Sequence, residues 1–257
     1  MKSTKTIVLI HGLFVNNTSW AQWKTYFEAQ GYKVYTPANP GHEGVPSELR
    51  TTVPPDLTKT GFEDVVMNIV KLIDTLPEKP IVVGHSLAGL VVQKLIEMDK
   101  AVAGVSIDGA PPKNVIAPWA TVKIVLPVVN FFKGNQPYLG TKEWYHKAFF
   151  NNYTKDESDR LYDQIAVPES RKIARDTLLS SFAAIDFKKP HQPLLFIGGA
   201  KDAIFASSFT KRIAGSYTDK NSLVDFKEFE GRSHFIAGEK GWEEVAAYVL
   251  NWIKKVA

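Results

Sequence analysis

The sequence predicts an α/β fold with a mostly parallel central sheet, and three observations carry that prediction. Short apolar, β-branched runs alternate with amphipathic helical stretches from Thr6 onward. One of these runs, Ile81-Val82-Val83, meets a tight turn at Ser86 and passes at once into a helical pattern. The alternation stops between Pro112 and Pro190, then resumes to the end of the chain. Strand-helix-strand units of this kind close as right-handed crossovers and lay their strands parallel. A length of 257 residues suits one large domain carrying an insertion. The expected division is therefore a core of residues 1–111 and 190–257, with residues 112–189 as a helical cap.

Taken in order, Thr6–Ile10 mixes threonine with aliphatics and reads as a buried strand that runs into the turn His11-Gly12-Leu13-Phe14. Thr18 or Ser19 is positioned to cap a helix over 20–30, which Gly31 ends. Lys33–Tyr35 gives a second strand, and the proline-rich stretch 45–59 reads as a surface excursion. Phe62, Val65, Val66, Ile69, Val70, Leu72 and Ile73 recur at helical spacing until Pro77 stops them. The strand before Ser86 and its helix follow, then a strand over 102–107 that leads into Asp108. The aromatic-rich segment after Pro112 reads as helices and loops without strands. Beyond it come a strand over 194–198, a helix over 207–215, a strand over 223–229 and a last helix over 242–255.

Composition excludes several classes. A net charge of +4 comes from scattered lysines, which reads as solvated surface and not as a nucleic-acid footprint. With no cysteine, disulfides, thiolate metal sites and cysteine nucleophiles are ruled out. The apolar run after the basic first residues is too short for a signal-peptide core, so a cytoplasmic protein is expected. Residues 115–132 carry the single charge Lys123, but Pro118 and Pro127 interrupt them where a spanning helix needs about 20 unbroken apolar residues. Stable membrane insertion is not expected. No His/Asp/Glu cluster has metal-ligand spacing and no phosphate-binding glycine loop occurs, so neither metal nor cofactor is expected.

The chemistry is organised around Gly84-His85-Ser86-Leu87-Ala88-Gly89. A strand, a serine flanked by small residues and an immediate helix make the sequence form of a nucleophile elbow. Ala88 stands where the G-x-S-x-G pattern has its second glycine, and Gly89 follows one place later. A serine hydroxyl needs a base, and the base needs an orienting group. Asp202 follows one predicted strand and His234 the next, so Ser86, Asp202 and His234 all fall at carboxyl ends of parallel strands, where open α/β sheets build their sites. Asp108 competes with Asp202 for the acid's role, because it too follows a strand.

On these residues, together with His11-Gly12, Pro40-Gly41-His42, Gly199-x-x-Asp202 and Gly231-x-x-His234-Phe235, the chain resembles the α/β-hydrolase superfamily, in its esterase/lipase and cofactor-free haloperoxidase-like branch. The resemblance implies helices on both faces of the sheet, a catalytic triad of Ser86, His234 and Asp202, and an oxyanion hole from the backbone N–H groups of Leu13 and Leu87. It implies a serine hydrolase cleaving carboxylic esters of small to medium, lipophilic substrates through an acyl-enzyme. The same triad also serves lactone or amide hydrolysis, perhydrolysis or a lyase reaction, and a slow-turnover ligand-binding protein is a further alternative. Phe14, His85, Trp119 and Phe205 are the candidate substrate-binding residues, joined on the apolar cap stretch by Val122, Leu126 and Phe131. His11 and His85 also read as hydrogen-bonding groups beside the elbow. His42 reads as a pocket-rim or a surface residue.

Overall fold

The order of elements in the computed structural model, which describes residues 4–257, follows directly from the alternation in the sequence. From the N-terminus these are β1 (Thr6–Ile10), α1 (Ala21–Ala29), β2 (Lys33–Tyr35), α2 (Pro46–Thr51), α3 (Phe62–Ile73), β3 (Ile81–His85), α4 (Leu87–Glu97) and β4 (Ala103–Ile107). Then come α5 (Trp119–Val129), α6 (Lys142–Ala148), α7 (Lys155–Ile165) and α8 (Arg171–Leu179), before β5 (Leu194–Gly199), α9 (Ser207–Ala214), β6 (Val224–Phe229) and α10 (Trp242–Val256).

The six strands form one wholly parallel sheet in the order β2-β1-β3-β4-β5-β6. Strands β1, β3, β4 and β5 are buried along their full length, which is why they read as continuous apolar runs and not as alternation. The apolar core divides into two clusters on the two sheet faces, one including Val66, Leu90 and Leu95, the other including Trp23, Phe27 and Val249. The chain leaves β1 toward β2 on one side and later places β3 on the other. The switch point of the sheet thus lies between β1 and β3, the position where such sheets open a crevice at their carboxyl edge.

Local details differ from the sequence reading for identifiable reasons. The first helix is preceded by a 3-10 turn, Asn17–Trp20, and its cap is Asn16, whose Oδ1 accepts from the Thr18 N–H at 3.2 Å. Asn16 has the extended backbone that a cap needs. The stretch 45–59 holds α2 and a 3-10 turn, Pro55–Thr58, with Leu49 and Leu57 buried. Pro46 and Pro55 start these turns, where a missing N–H costs nothing, and do not break them. The segment between β4 and β5 contains one isolated antiparallel bridge, Tyr138 with Glu169, in addition to its helices. Among the described residues, no helix is long and apolar enough to cross a membrane.

Close approach of β3 to α4 depends on Gly84. A Cβ built there would lie 2.2 Å from the Ala88 carbonyl oxygen, a main-chain atom that cannot step aside. Gly84→Ala should therefore lower the unfolding free energy by about 3 kcal/mol, read from urea denaturation. An unchanged midpoint would mean that the β3–α4 contact relaxes freely. The tight contact is made to the backbone of Ala88 and not to its side chain, so a methyl group at 88 fits, fully buried. The next glycine matters in a different direction: a Cβ at Gly89 would meet Ser106 Oγ at 2.4 Å and Gly109 Cα at 2.5 Å.

Candidate active site

Ser86 links β3 to α4 with φ 57° and ψ −123°, in the left-handed half of the backbone map that residues with side chains rarely adopt. Main-chain hydrogen bonds hold it there. Its N–H donates to the Ile107 carbonyl at 3.0 Å, and its carbonyl accepts from Gly89 and Ala110, each at 2.9 Å. The β1 turn closes over the serine, since a Cβ on Gly12 would lie 2.8 Å from Ser86 Cβ. This contact accounts for the glycine in His11-Gly12.

The loops after β5 and β6 bring two further side chains into line. His234 Nε2 lies 3.0 Å from Ser86 Oγ, and its Nδ1 lies 2.8 Å from Asp202 Oδ2. Asp202 is fixed by its other oxygen, which accepts from the N–H groups of Ile204 at 2.6 Å and Phe205 at 2.9 Å. The imidazole is fully buried and lies against two phenyl rings, Phe149 at 4.9 Å and Phe205 at 5.7 Å between centroids. Its loop is tied down by Glu239, which accepts from the Ser233 N–H at 3.1 Å and the Ser233 hydroxyl at 2.8 Å.

Asp108 sits beside this group without touching the imidazole in a hydrogen bond. One of its oxygens accepts from the Gly199 N–H at 2.7 Å, and the other has no donor among the described residues. Burial, then the charge of Asp202, raise its pKa well above the usual carboxylate value. Two adjacent buried carboxyl groups disfavour each other's charge, and Asp108 has one donor to stabilise a negative charge where Asp202 has three. Asp108 is thus the carboxyl group of the two whose charged form its surroundings disfavour.

His85 and His11 are neutral hydrogen-bonding groups. His85 Nε2 donates to the His234 carbonyl at 2.7 Å, and burial, reinforced by His234, lowers its pKa to about 3. His11 Nε2 accepts from the Asn39 N–H at 2.9 Å, and burial, followed by the influence of His42, lowers its pKa to about 3. His42 is neither on a rim nor on the surface. It is buried, with Nε2 3.1 Å from Glu169 Oε2. His85, Asp108 and His234 bring ligand-type atoms within 4.8 Å of one another. However, His85 Nε2 is committed to the His234 carbonyl and both His234 nitrogens to Asp202 and Ser86, so the group does not fit a metal ion.

A cavity of about 140 Å³ opens over Ser86. By volume it compares with the engineered site of about 150 Å³ that holds benzene. Leu13, Phe14 and Leu87 line its base with the serine, Val122, Val125 and Leu126 of α5 one wall, Ile204 and Phe205 another. Phe14 and Phe205 therefore reach the cavity, and His85 and Trp119 do not. His85 is turned behind the imidazole by its bond to the His234 carbonyl. Trp119 opens α5, 67% exposed, with Lys123 Nζ 5.8 Å over its ring, and the cavity side of the helix begins after it, at Thr121 and Val122. Phe131 is likewise exposed, lying beneath the Arg175 guanidinium. Phe149, which packs on the imidazole and lines the cavity, had no signal in the sequence beyond the general aromatic richness of its segment.

A strained serine at a strand-helix turn, in line with an imidazole and a carboxylate on a parallel sheet, defines a hydrolase of the α/β class in its geometry. Comparison with known proteins gives the same class: the model of the alpha/beta hydrolase family matches residues 7–248, and the chain belongs to that family. It is 32% identical over 120 residues to a pimeloyl-[acyl-carrier protein] methyl ester esterase of Aromatoleum aromaticum, an alignment spanning 44% of this chain and 42% of that one. The chain thus matches less than half the length of this curated relative. Among solved structures it is similar to a monoacylglycerol lipase of Paleococcus ferrophilus, with a TM-score of 0.74, 22% identity and coverage of 99% and 96% of the two chains. It is also similar to tomato methylketone synthase I, with a TM-score of 0.73, 19% identity and full coverage of both chains. A pyrethroid hydrolase from Sphingobium faniae matches with a TM-score of 0.72, 16% identity and 98% of each chain. These three likenesses concern the fold.

Proposed function

We propose that this chain is a serine hydrolase of carboxylic esters with a lipophilic acyl or alcohol group of modest size. The observation that carries the reading is the line Ser86 Oγ, His234 and Asp202, at 3.0 and 2.8 Å, beneath an apolar cavity. The curated relative named as a methyl ester esterase and the structural neighbour named as a monoacylglycerol lipase are consistent with it.

In this mechanism His234 Nε2 takes the Ser86 proton as Oγ attacks the ester carbonyl, and the N–H groups of Leu13 and Leu87 stabilise the tetrahedral oxyanion. Leu87 opens α4, where free amides and the helix dipole favour negative charge. One such donor is typically worth about 3 kcal/mol of barrier. His234 then returns the proton to the leaving alcohol, and water activated by the same nitrogen cleaves the acyl-enzyme. Asp202 fixes the imidazole tautomer and balances its transient charge. Residues 112–189 act as the cap that supplies the apolar wall.

The test is hydrolysis of p-nitrophenyl esters of increasing acyl length, with a phosphonate probe to label the serine. Turnover and stoichiometric labelling at Ser86 are expected, with a preference for short to medium acyl chains. Val125→Trp, which fills the cavity wall, should raise KM for the longest accepted ester by about tenfold while leaving acetate hydrolysis near wild type. An unchanged length profile would place the acyl group elsewhere, and absence of labelling would overturn the serine mechanism.

A further inference from the structure

The turn that carries the Leu13 amide is held from outside the sheet. Phe14, the next residue, has φ 69°, a conformation disfavoured for a phenylalanine. Its N–H donates to Glu169 Oε2 at 3.2 Å, and its carbonyl accepts from the Tyr145 hydroxyl at 2.7 Å and the Val167 N–H at 3.2 Å. All three partners lie in the segment inserted between β4 and β5.

Glu169 is itself rigidly placed. Its side chain is fully buried, and its other oxygen accepts from the Ser170 N–H at 2.7 Å. Its main chain exchanges two hydrogen bonds with Tyr138, each 2.8 Å. A carboxylate so deeply buried needs a counter-charge, and His42 supplies it from the loop after β2. Burial is the largest single influence and lowers the imidazole pKa, but the charge and hydrogen bond of Glu169, joined by the Pro40 carbonyl and Glu43, together hold the pKa above the ordinary histidine value. The adjacent His11 ring, 5.4 Å away between centroids, stays neutral, so the positive charge belongs to His42.

We propose that Glu169, charge-paired with His42, is a positioning residue that locks Phe14 in its left-handed conformation and thereby keeps the Leu13 N–H directed at the oxyanion above Ser86. The role rests on the serine-hydrolase reading given above. It accounts for a buried ion pair at a place where two apolar side chains would pack without the desolvation cost. A charged acceptor holds an amide about twice as strongly as a neutral one, which suits a turn held in a strained conformation. Through this contact the inserted segment acts on the chemistry as well as on the cavity wall.

The experiment compares wild type with Glu169→Gln, Glu169→Ala and Tyr145→Phe. It measures kcat and KM on a p-nitrophenyl ester, the affinity for an aryl trifluoromethyl ketone that adds to Ser86 as a tetrahedral oxyanion, and the thermal midpoint. Glu169→Gln should lower kcat about 10- to 30-fold with KM changed less than about threefold, and weaken the ketone by a similar factor. Tyr145→Phe, which removes one hydroxyl from the other end of the clamp, should lower kcat by about three- to tenfold. Glu169→Ala leaves the His42 charge unpaired, and if that variant fails to fold the other two carry the test. A lowered thermal midpoint with kcat and ketone affinity unchanged would overturn the proposal, as would a rise in KM alone. Wild-type protein without Ser86-dependent hydrolysis would overturn the functional reading, and this role with it.

Discussion

Ser86→Ala should lower kcat for p-nitrophenyl esters by about 10⁴- to 10⁶-fold and abolish phosphonate labelling, with KM and the thermal midpoint near wild type. The size of the effect follows from the geometry. Removing Oγ removes the hydroxyl 3.0 Å from His234 Nε2, the nucleophile of the proposed mechanism, and leaves only amides and a cavity to assist water. His234→Ala should cost about as much, because the serine and its base act as a unit and their losses do not add. The fold has little reason to respond. Ser86 keeps its three main-chain hydrogen bonds in the variant, and alanine strains the turn no more than serine does. A variant that retained wild-type turnover would show that ester cleavage proceeds elsewhere, and a variant that failed to fold would leave His234→Ala as the deciding measurement.

The second large effect separates two carboxyl groups that lie side by side. Asp202→Asn should lower kcat by about 10⁴-fold, since an amide at 202 can present N–H to His234 Nδ1 and favour the wrong imidazole tautomer. Asp108→Asn should lower it less than about tenfold, because Asp108 makes no hydrogen bond to the imidazole and a neutral amide replaces a carboxyl group whose charge is already disfavoured. The sign of the pH effect follows. A buried acid with a raised pKa favours the folded state while protonated, and that contribution is lost as pH rises through its folded-state pKa. Wild type should therefore lose stability relative to Asp108→Asn as pH rises from the ordinary carboxylate range through that raised pKa, read from urea midpoints across the pH range. A large kinetic loss in Asp108→Asn together with near-normal Asp202→Asn would exchange the two roles.

The strands were legible in the sequence because a parallel sheet buries both faces and writes itself as unbroken apolar runs. The strand ends were legible for the same reason, and with them the positions of Ser86, Asp202 and His234, which depend only on where a run stops. Features made by distant partners were not. Nothing near Glu169 marks it as the partner of His42, whose loop lies in another part of the chain. His42 itself looked like a loop residue, although its neighbours give no hint that the insertion would cover it. Trp119 was misplaced as a cavity residue because apolarity alone does not say which turn of a helix faces inward. The stretch 45–59 reads as a surface excursion and hides α2, because a proline that starts a turn and one that ends a helix look alike until the backbone is seen.

The pairing of β4 with β5 across the whole inserted segment bears on how this protein is assembled. Contacts between residues so remote in sequence form late, after a large loss of chain entropy, and parallel strands joined this way cannot zip from a hairpin. Ser86 belongs to the first half of the sheet, whereas Asp202 and His234 arrive with the last two strands. On the mechanism proposed above, a chain emerging from the ribosome therefore lacks its base and acid until its final third is made, and an apolar sheet edge at β4 stays open for that interval.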